Sequence, residues 1–173
     1  MADDRALAAE PHYEVARFLH AEARLLDSGL FRQWLEEMVD PRIAYRMVIR
    51  EERFLRDKRA VGAEARPFDD DHGALELRVR QAETGLRTML DPAEKMRRYV
   101  TNIESWEGDA EGELHVQSYG LVTRNRRLTE REQLEYGRED VLLRGADGNL
   151  RLLSRLVVID QRVVQAKNLM FFL

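Results

Sequence analysis

Leu150-Arg151-Leu152-Leu153-Ser154-Arg155-Leu156-Val157-Val158-Ile159-Asp160 is the longest apolar run of the chain, and it follows the turn sequence Gly145–Asn149. Its richness in leucine, valine and isoleucine predicts a β-strand. Strict alternation divides its apolar residues between two faces: Leu150, Leu152, Leu156 and Val158 on one, and Leu153, Val157 and Ile159 on the other. Because both faces are apolar, we expect the strand to be covered on both sides.

Arg155 is a cation inside this apolar run. An unpaired buried charge costs several kcal/mol, so Arg155 needs a partner. Candidate partners lie in the preceding segment Arg138-Glu139-Asp140 and at Asp160. Two interpretations are open: a salt bridge to a neighbouring subunit, or a cross-strand pair within the chain.

The length of 173 residues favours one domain spanning residues 1–173, with an N-terminal arm at 1–10 and a long loop at 51–72. There is no cysteine, which excludes disulfides, thiolate zinc sites and cysteine-held iron–sulfur clusters in this chain. The net charge of −4 does not suggest a nucleic-acid partner. Because no run has the length and apolarity of a membrane span, we expect a soluble cytoplasmic protein.

Hydrophobic periodicity predicts the order helix, helix, strand, helix and then a run of long strands. The predicted helices cover roughly 11–26, 30–38 and 72–90, and the predicted strands cover roughly 43–50, 98–106, 114–123, 132–144 and 150–160. This order predicts an α+β fold in which the helices pack on one face of an antiparallel sheet. The loop between Glu51 and His72 is long enough to be functional or disordered.

The histidines offer little support for a metal site. No pair among the four histidines has the i, i+3 or i, i+4 spacing that places two ligands on one helix face. His72 follows Asp69-Asp70-Asp71, which fits metal ligands superficially but is more typical of the acidic start of a helix. Tyr13, Trp34, Asp40 and Tyr45 could line a cavity for proton transfer, or could be core aromatics and a helix-end aspartate.

The closing segment Asn168-Leu169-Met170-Phe171-Phe172-Leu173 is unusually apolar. Such a segment is either tucked into its own core or docked on a partner. Together with the strand at 150–160, it favours an obligate oligomer.

Several segments, taken in order, resemble the small, or β, subunit of aromatic-ring-hydroxylating dioxygenases. They are Tyr13 to Trp34, Tyr45-Arg46-Met47, Arg98 to Ile103, Gly137 to Arg144, Arg155 to Asp160 and the closing Asn168 to Leu173. The resemblance covers almost the whole chain. It is weakest in the loop at 51–72 and around Asp91-Pro92.

The resemblance implies a cone-shaped fold of the nuclear-transport-factor or cystatin type, with a strongly curved antiparallel sheet. It also implies a complex of three α and three β subunits that cis-dihydroxylates aromatic hydrocarbons. The Rieske [2Fe-2S] cluster and the mononuclear non-haem iron would belong to the α subunit. Electrons would come from NADH through a reductase and a ferredoxin.

On this interpretation the chain itself holds no catalytic, cofactor-binding or metal-binding residue, and it supports assembly of the α subunits. The candidate residues for subunit interfaces are Arg138, Asp140, Arg155, Val157, Ile159, Asn168, Phe171 and Phe172. The identity of the arene is not encoded here, because specificity would lie in α. The alternatives are a stand-alone dehydratase or isomerase using Asp40, Tyr45 and His115, and a homodimeric ligand-binding module.

Overall fold

A computed structural model of the chain describes residues 8–50, 64–84, 95–126, 130–160 and 172–173. These residues form three helices and six strands, in the order α1 (Ala9–Asp27), α2 (Phe31–Met38), β1 (Val39–Arg50), β2 (Glu64–Asp70), α3 (His72–Glu83), β3 (Lys95–Glu107), β4 (Glu113–Arg126), β5 (Glu130–Arg144) and β6 (Leu150–Ile159). The strands form one sheet in the order β2-β1-β6-β5-β4-β3. The predicted α+β class is confirmed.

The two-helix start follows the sequence pattern closely. Val15, Leu19 and Leu26 form the buried stripe of α1. The chain then turns at Gly29, whose φ of +72° is a left-handed conformation that glycine adopts without strain. Helix α2 ends at Met38, shortly before Pro41. None of the described helices is long and apolar enough to cross a membrane.

The predicted loop at 51–72 is wrong over its second half, because Glu64–Asp70 form strand β2. β2 pairs antiparallel with β1, with Met47 opposite Phe68 and Tyr45 opposite Asp70. It is one of the two edge strands of the described sheet, where the missing N–H of Pro67 is tolerated. Residues 51–63 lie outside the described part of the chain, as do 1–7 of the predicted arm and 85–94, which include the end of the third predicted helix and Asp91-Pro92.

Strands β3, β4 and β5 are longer than predicted. β4 continues through Arg124 and Asn125, which the sequence pattern placed in a loop, and it stays paired with β5 from Glu113 to Arg126. Four of the five strand pairs are antiparallel, as expected. The pair β1–β6 is parallel, with Tyr45 opposite Arg155. That pairing joins segments more than a hundred residues apart, which local periodicity does not register.

Strand β6 contains a bulge that changes the predicted division of its faces. Ser154 pairs with Val141, but Leu152 pairs with Leu142, so Leu153 has no partner of its own on β5. A bulged residue shifts the alternation by one position. As a result Leu150 and Leu152 lie on the same buried face as Arg155, Val157 and Ile159. The prediction that they share a face with Leu156 and Val158 is therefore wrong.

All three helices pack on this face, here called the helix side of the sheet. Trp34 and Leu35 of α2, and Leu75 and Val79 of α3, belong to the same buried cluster as Leu152 of β6. On the other face, called the open side, Leu153, Leu156 and Val158 of β6 are half-buried. The helices thus supply one of the two covers expected for β6.

Candidate functional site

The helix side of the sheet holds a buried ionic cluster around Arg155, whose side chain is 0% exposed. Its Nε and Nη2 donate to the two carboxylate oxygens of Asp140, at 2.7 and 2.9 Å. Its Nη1 and Nη2 donate to the two oxygens of Glu22 on α1, both at 2.8 Å. Arg155 therefore makes two bidentate pairs, one across the sheet and one to the helix layer.

Arg138 completes the cluster. It lies two residues before Asp140 on β5, so both side chains project to the helix side. Its Nη1 lies 3.3 Å from Glu22 Oε2, and its Nε lies 3.0 Å from Asp140 Oδ2. Two guanidiniums then face two carboxylates, which leaves the cluster close to neutral.

This balance sets the protonation of the cluster. Burial raises the pKa of Glu22, but the charges of Arg155 and Arg138 outweigh burial and hold that pKa below its ordinary value. Burial opposes the charge of Arg155, yet the carboxylates of Asp140 and Glu22 hold its pKa well above the ordinary arginine value. Glu22 and Arg155 are therefore both ionised at neutral pH, and each requires the other.

Phe172 and Leu173 are tied into the same region. The hydroxyl of Tyr45 donates to the Leu173 carbonyl at 2.7 Å and accepts from the Leu173 N–H at 2.8 Å. Arg155 Nη1 also donates to that carbonyl, at 2.9 Å. Arg98 donates from Nε and Nη2 to the Phe172 carbonyl, at 3.0 and 2.7 Å. Of the two outcomes expected for the apolar closing segment, these two residues are tucked into their own subunit.

The predicted interface residues need to be placed against this cluster. All those the structure describes are buried within the single chain: Arg138, Asp140, Arg155, Val157, Ile159 and Phe172. Asn168 and Phe171 lie outside the described residues. Of the two partners left open for Arg155, the structure has the cross-strand one, Asp140. A contact of these residues with another subunit stays a prediction.

The residues proposed for a dehydratase or isomerase are not brought together. Tyr45 is fully buried on the helix side, and burial raises the pKa of its phenol to about 12. His115 is in register with Val141, Ser154 and Ala44, all on the open side, and it contacts Glu113 at 2.6 Å. Asp40 pairs with Arg42 at 2.9 Å. The proton-transfer constellation is therefore absent from the described residues.

The other candidate residues take structural positions. Tyr13 is 65% exposed on α1, whereas Trp34 is buried and donates its indole N–H to Glu22 at 3.1 Å. The acidic run before His72 starts a helix, since the carboxylate of Asp71 accepts from the N–H of Ala74 at 2.8 Å. No group of three metal-ligating side chains occurs in the described segments.

Sequence reasoning missed Glu22 and Arg98. Glu22 was visible as the one polar residue in the apolar stripe of α1, a position where a carboxylate requires a cationic partner. Arg98 sits in a strand pattern with many charges and gave no such signal. It is buried, and its Nη1 donates to Asp27 Oδ1 at the end of α1, at 2.6 Å.

The open side of the sheet has a different character. Tyr119 on β4 is 61% exposed and Tyr99 on β3 is 50% exposed. Tyr119 pairs with Gly137, and Gly137 pairs with Val158, so one row crosses three strands. Exposed aromatic rings beside half-buried aliphatic residues are typical of a surface that meets another protein.

Comparison with known proteins agrees with this geometry. The family model described as the ring hydroxylating beta subunit matches residues 21–166. The β subunit of a benzene 1,2-dioxygenase from Pseudomonas putida is 32% identical over 170 residues, covering 96% of this chain and 90% of that protein. The β subunit of a biphenyl 2,3-dioxygenase from Rhodococcus jostii is 30% identical, covering 92% and 87%.

A solved structure of a naphthalene 1,2-dioxygenase, with indole bound in its active site, has a chain that superimposes with a TM-score of 0.89. The two chains are 27% identical, and the match covers 96% of this chain and 88% of that one. The family model spans most of the sequence, and the relatives align along nearly their full length. The chain belongs to the family of β subunits of ring-hydroxylating dioxygenases.

Proposed function

We propose that this chain is the structural, non-catalytic subunit of a complex that adds dioxygen to aromatic hydrocarbons to give cis-dihydrodiols. One observation carries the non-catalytic part of the proposal. The interior between helices and sheet is filled by charges that neutralise one another and by Phe172 and Leu173. The buried polar groups there bond to one another and hold the fold together: Tyr45 bonds to Leu173, and Arg155 bonds to the carboxylates of Asp140 and Glu22.

The redox groups are assigned to a partner. A Rieske cluster needs two cysteines and two histidines, and this chain contains no cysteine. His12 is engaged with Ser105 on the helix side of the sheet, and His115 is engaged with Glu113 on the open side. The donor set of this chain does not fit the cluster. We therefore place the cluster and the mononuclear iron in the α subunit, supplied with electrons from NADH through ferredoxin and reductase.

The assembly proposed is three α and three β subunits. The open side of the sheet, with Tyr99 and Tyr119, supports a subunit contact because its aromatic rings are exposed in the single chain. Burying two such rings and the adjacent Leu156 and Val158 would supply the second cover that the apolar β6 strand requires.

Co-expression of this chain with a Rieske-containing α subunit tests the function. The co-purified complex, given ferredoxin, reductase and NADH, should convert an arene to a cis-dihydrodiol, whereas this chain alone should not. Formation of product by this chain alone, or a fully active α subunit without it, would refute the proposal.

Two tyrosine variants test the proposed contact surface. Tyr119→Asp places a charge on the open side and should reduce recovery of the complex by about tenfold or more, because an unpaired charge is costly to bury. Tyr13→Asp is the matched control, since Tyr13 is equally exposed but lies on α1. Equal recovery of both complexes would show that the open side is not the contact.

A further inference from the structure

Phe172 and Leu173 are held in the way that a protein holds a bound peptide. We propose that the cleft on the helix side is a receptor for an apolar aromatic–aliphatic dipeptide, which Phe172–Leu173 occupies as a ligand supplied by the same chain. A free N-acyl dipeptide of the same chemistry binds there when the chain's own segment is weakened. The proposal is independent of the proposed role in a dioxygenase.

The first support is recognition of the main chain. The carbonyl of Phe172 accepts two N–H bonds from Arg98, at 3.0 and 2.7 Å. The N–H and carbonyl of Leu173 both bond to the hydroxyl of Tyr45, at 2.8 and 2.7 Å. These hydrogen bonds are made to main-chain N–H and carbonyl groups, so a free peptide can make the same bonds.

The second support is a defined place for each side chain. The ring of Phe172 packs against Trp34, with centroids 4.7 Å apart, and against Phe31, with centroids 5.6 Å apart. Leu173 is fully buried in a separate apolar cluster that includes Met47 and Val157. One aromatic and one aliphatic position, in that order, define the ligand class.

The third support is a pair of buried polar atoms to which Phe172 and Leu173 make no hydrogen bond. The hydroxyl of Tyr136 and Nη2 of Arg138 are buried and have no hydrogen-bond partner among the described residues. Tyr136 belongs to the apolar cluster around Leu173, and Arg138 shares the carboxylate of Glu22 with Arg155. Buried polar atoms without a partner require an explanation, and a ligand with further polar groups at this site would supply one.

Tethering explains why the native chain keeps the cleft occupied. Phe172 and Leu173 belong to the same chain as the residues they contact, and a ligand tethered in this way acts at a higher effective concentration than a free one. A free dipeptide competes only after the tethered segment loses affinity. Replacing the two side chains removes most of the apolar contact while leaving the receptor residues intact.

The test uses the full chain carrying Phe172→Ala and Leu173→Ala, with N-acetyl-Phe-Leu as the probe and N-acetyl-Ala-Ala as the matched control. At about ten times its dissociation constant, N-acetyl-Phe-Leu should raise the Tm of the variant by about 3–5 °C. The wild-type chain should show no shift with either peptide. Adding Tyr45→Phe to the variant should weaken binding about tenfold, since it removes both bonds to the leucine backbone.

A folded variant whose Tm does not respond, or responds equally to both peptides, overturns the proposal. If the double variant does not fold, the milder Phe172→Leu variant takes its place with the same peptides. That variant leaves the smaller leucine side chain between Trp34 and Phe31, and so weakens the binding of the tethered segment. The same two results then decide: a selective shift with N-acetyl-Phe-Leu supports the receptor, and no selective shift overturns it.

Discussion

Replacement of Arg155 by methionine would remove the cation at the centre of the buried cluster while keeping a long apolar side chain. The variant loses four charge-assisted hydrogen bonds, two to Asp140 and two to Glu22, and one bond to the Leu173 carbonyl. Arg138 remains as the one cation of the cluster facing both carboxylates. The cluster therefore changes from near neutrality to a net charge of about −1, which is fully buried.

Removing one partner of a buried ion pair costs about 3–5 kcal/mol. For a protein of this size, 1 kcal/mol corresponds to about 2–4 °C in Tm. Arg155→Met should therefore lower the Tm by between about 6 and 20 °C. The methionine side chain offsets little of this loss, because the carboxylates of Glu22 and Asp140 stay buried.

The loss should depend on pH with a defined sign. In the wild type the pKa of Glu22 is lowered, so its contribution to stability is present above the ordinary value of 4.5 and is lost as pH falls through the folded value. In the variant, burial outweighs the charge of Arg138 alone, and the pKa of Glu22 should rise above 4.5. The difference in unfolding free energy between the two proteins should be largest near pH 7 and should shrink toward pH 4.

Thermal unfolding followed by circular dichroism at several pH values measures both effects. Arg151→Met is the matched control, because Arg151 lies on the same strand but pairs with Asp147 at the surface. Its Tm should stay close to that of the wild type. A fall in Tm of less than about 3 °C for Arg155→Met, independent of pH, would refute the cluster as a main source of cohesion.

Three further results are expected. Gly120→Ala should lower the free energy of unfolding in urea by about 1–3 kcal/mol, because a Cβ there overlaps the ring of Tyr136. Gly137→Ala is the control and should be nearly neutral, since its Cβ position has open space around it. Equal effects of the two substitutions would contradict this packing. Tyr45→Phe should cost about 1–3 kcal/mol by the same assay, because the amide and carbonyl of Leu173 lose their shared partner; an unchanged midpoint would show that this link contributes little. Because burial raises the pKa of Tyr45 to about 12, its contribution to stability should be complete below pH 10 and lost between about pH 10 and 12; ultraviolet titration of this phenol near its ordinary value of 10 would contradict its burial.

Local sequence pattern predicted the order of the described elements, except for β2, and the need for a partner at Arg155. Amphipathic stripes locate α1 and α2, and an arginine in an apolar run demands a carboxylate wherever it folds. Asp140 was among the candidates because it precedes the turn into β6 and can lie across from Arg155. Glu22 lies 133 positions from Arg155, and local pattern cannot specify contacts over that separation.

Other features escaped local reasoning for identifiable causes. The bulge at Leu153 reverses the alternation of β6, and nothing in a leucine-rich run marks which residue is left out of register. Strand β2 contains Pro67 and several charges, which lower its strand propensity, and it is formed because β1 offers it an edge. Side-chain packing and strand pairing decide both the bulge and strand β2, and neither is encoded in the local sequence pattern.

The most direct test of the account is the native mass of the complex formed when this chain is co-expressed with a Rieske-containing α subunit. We expect a complex with three copies of each chain, in which all the iron is bound to α. Recovery of this chain as a stable monomer or homodimer, with no α subunit attached, would contradict it.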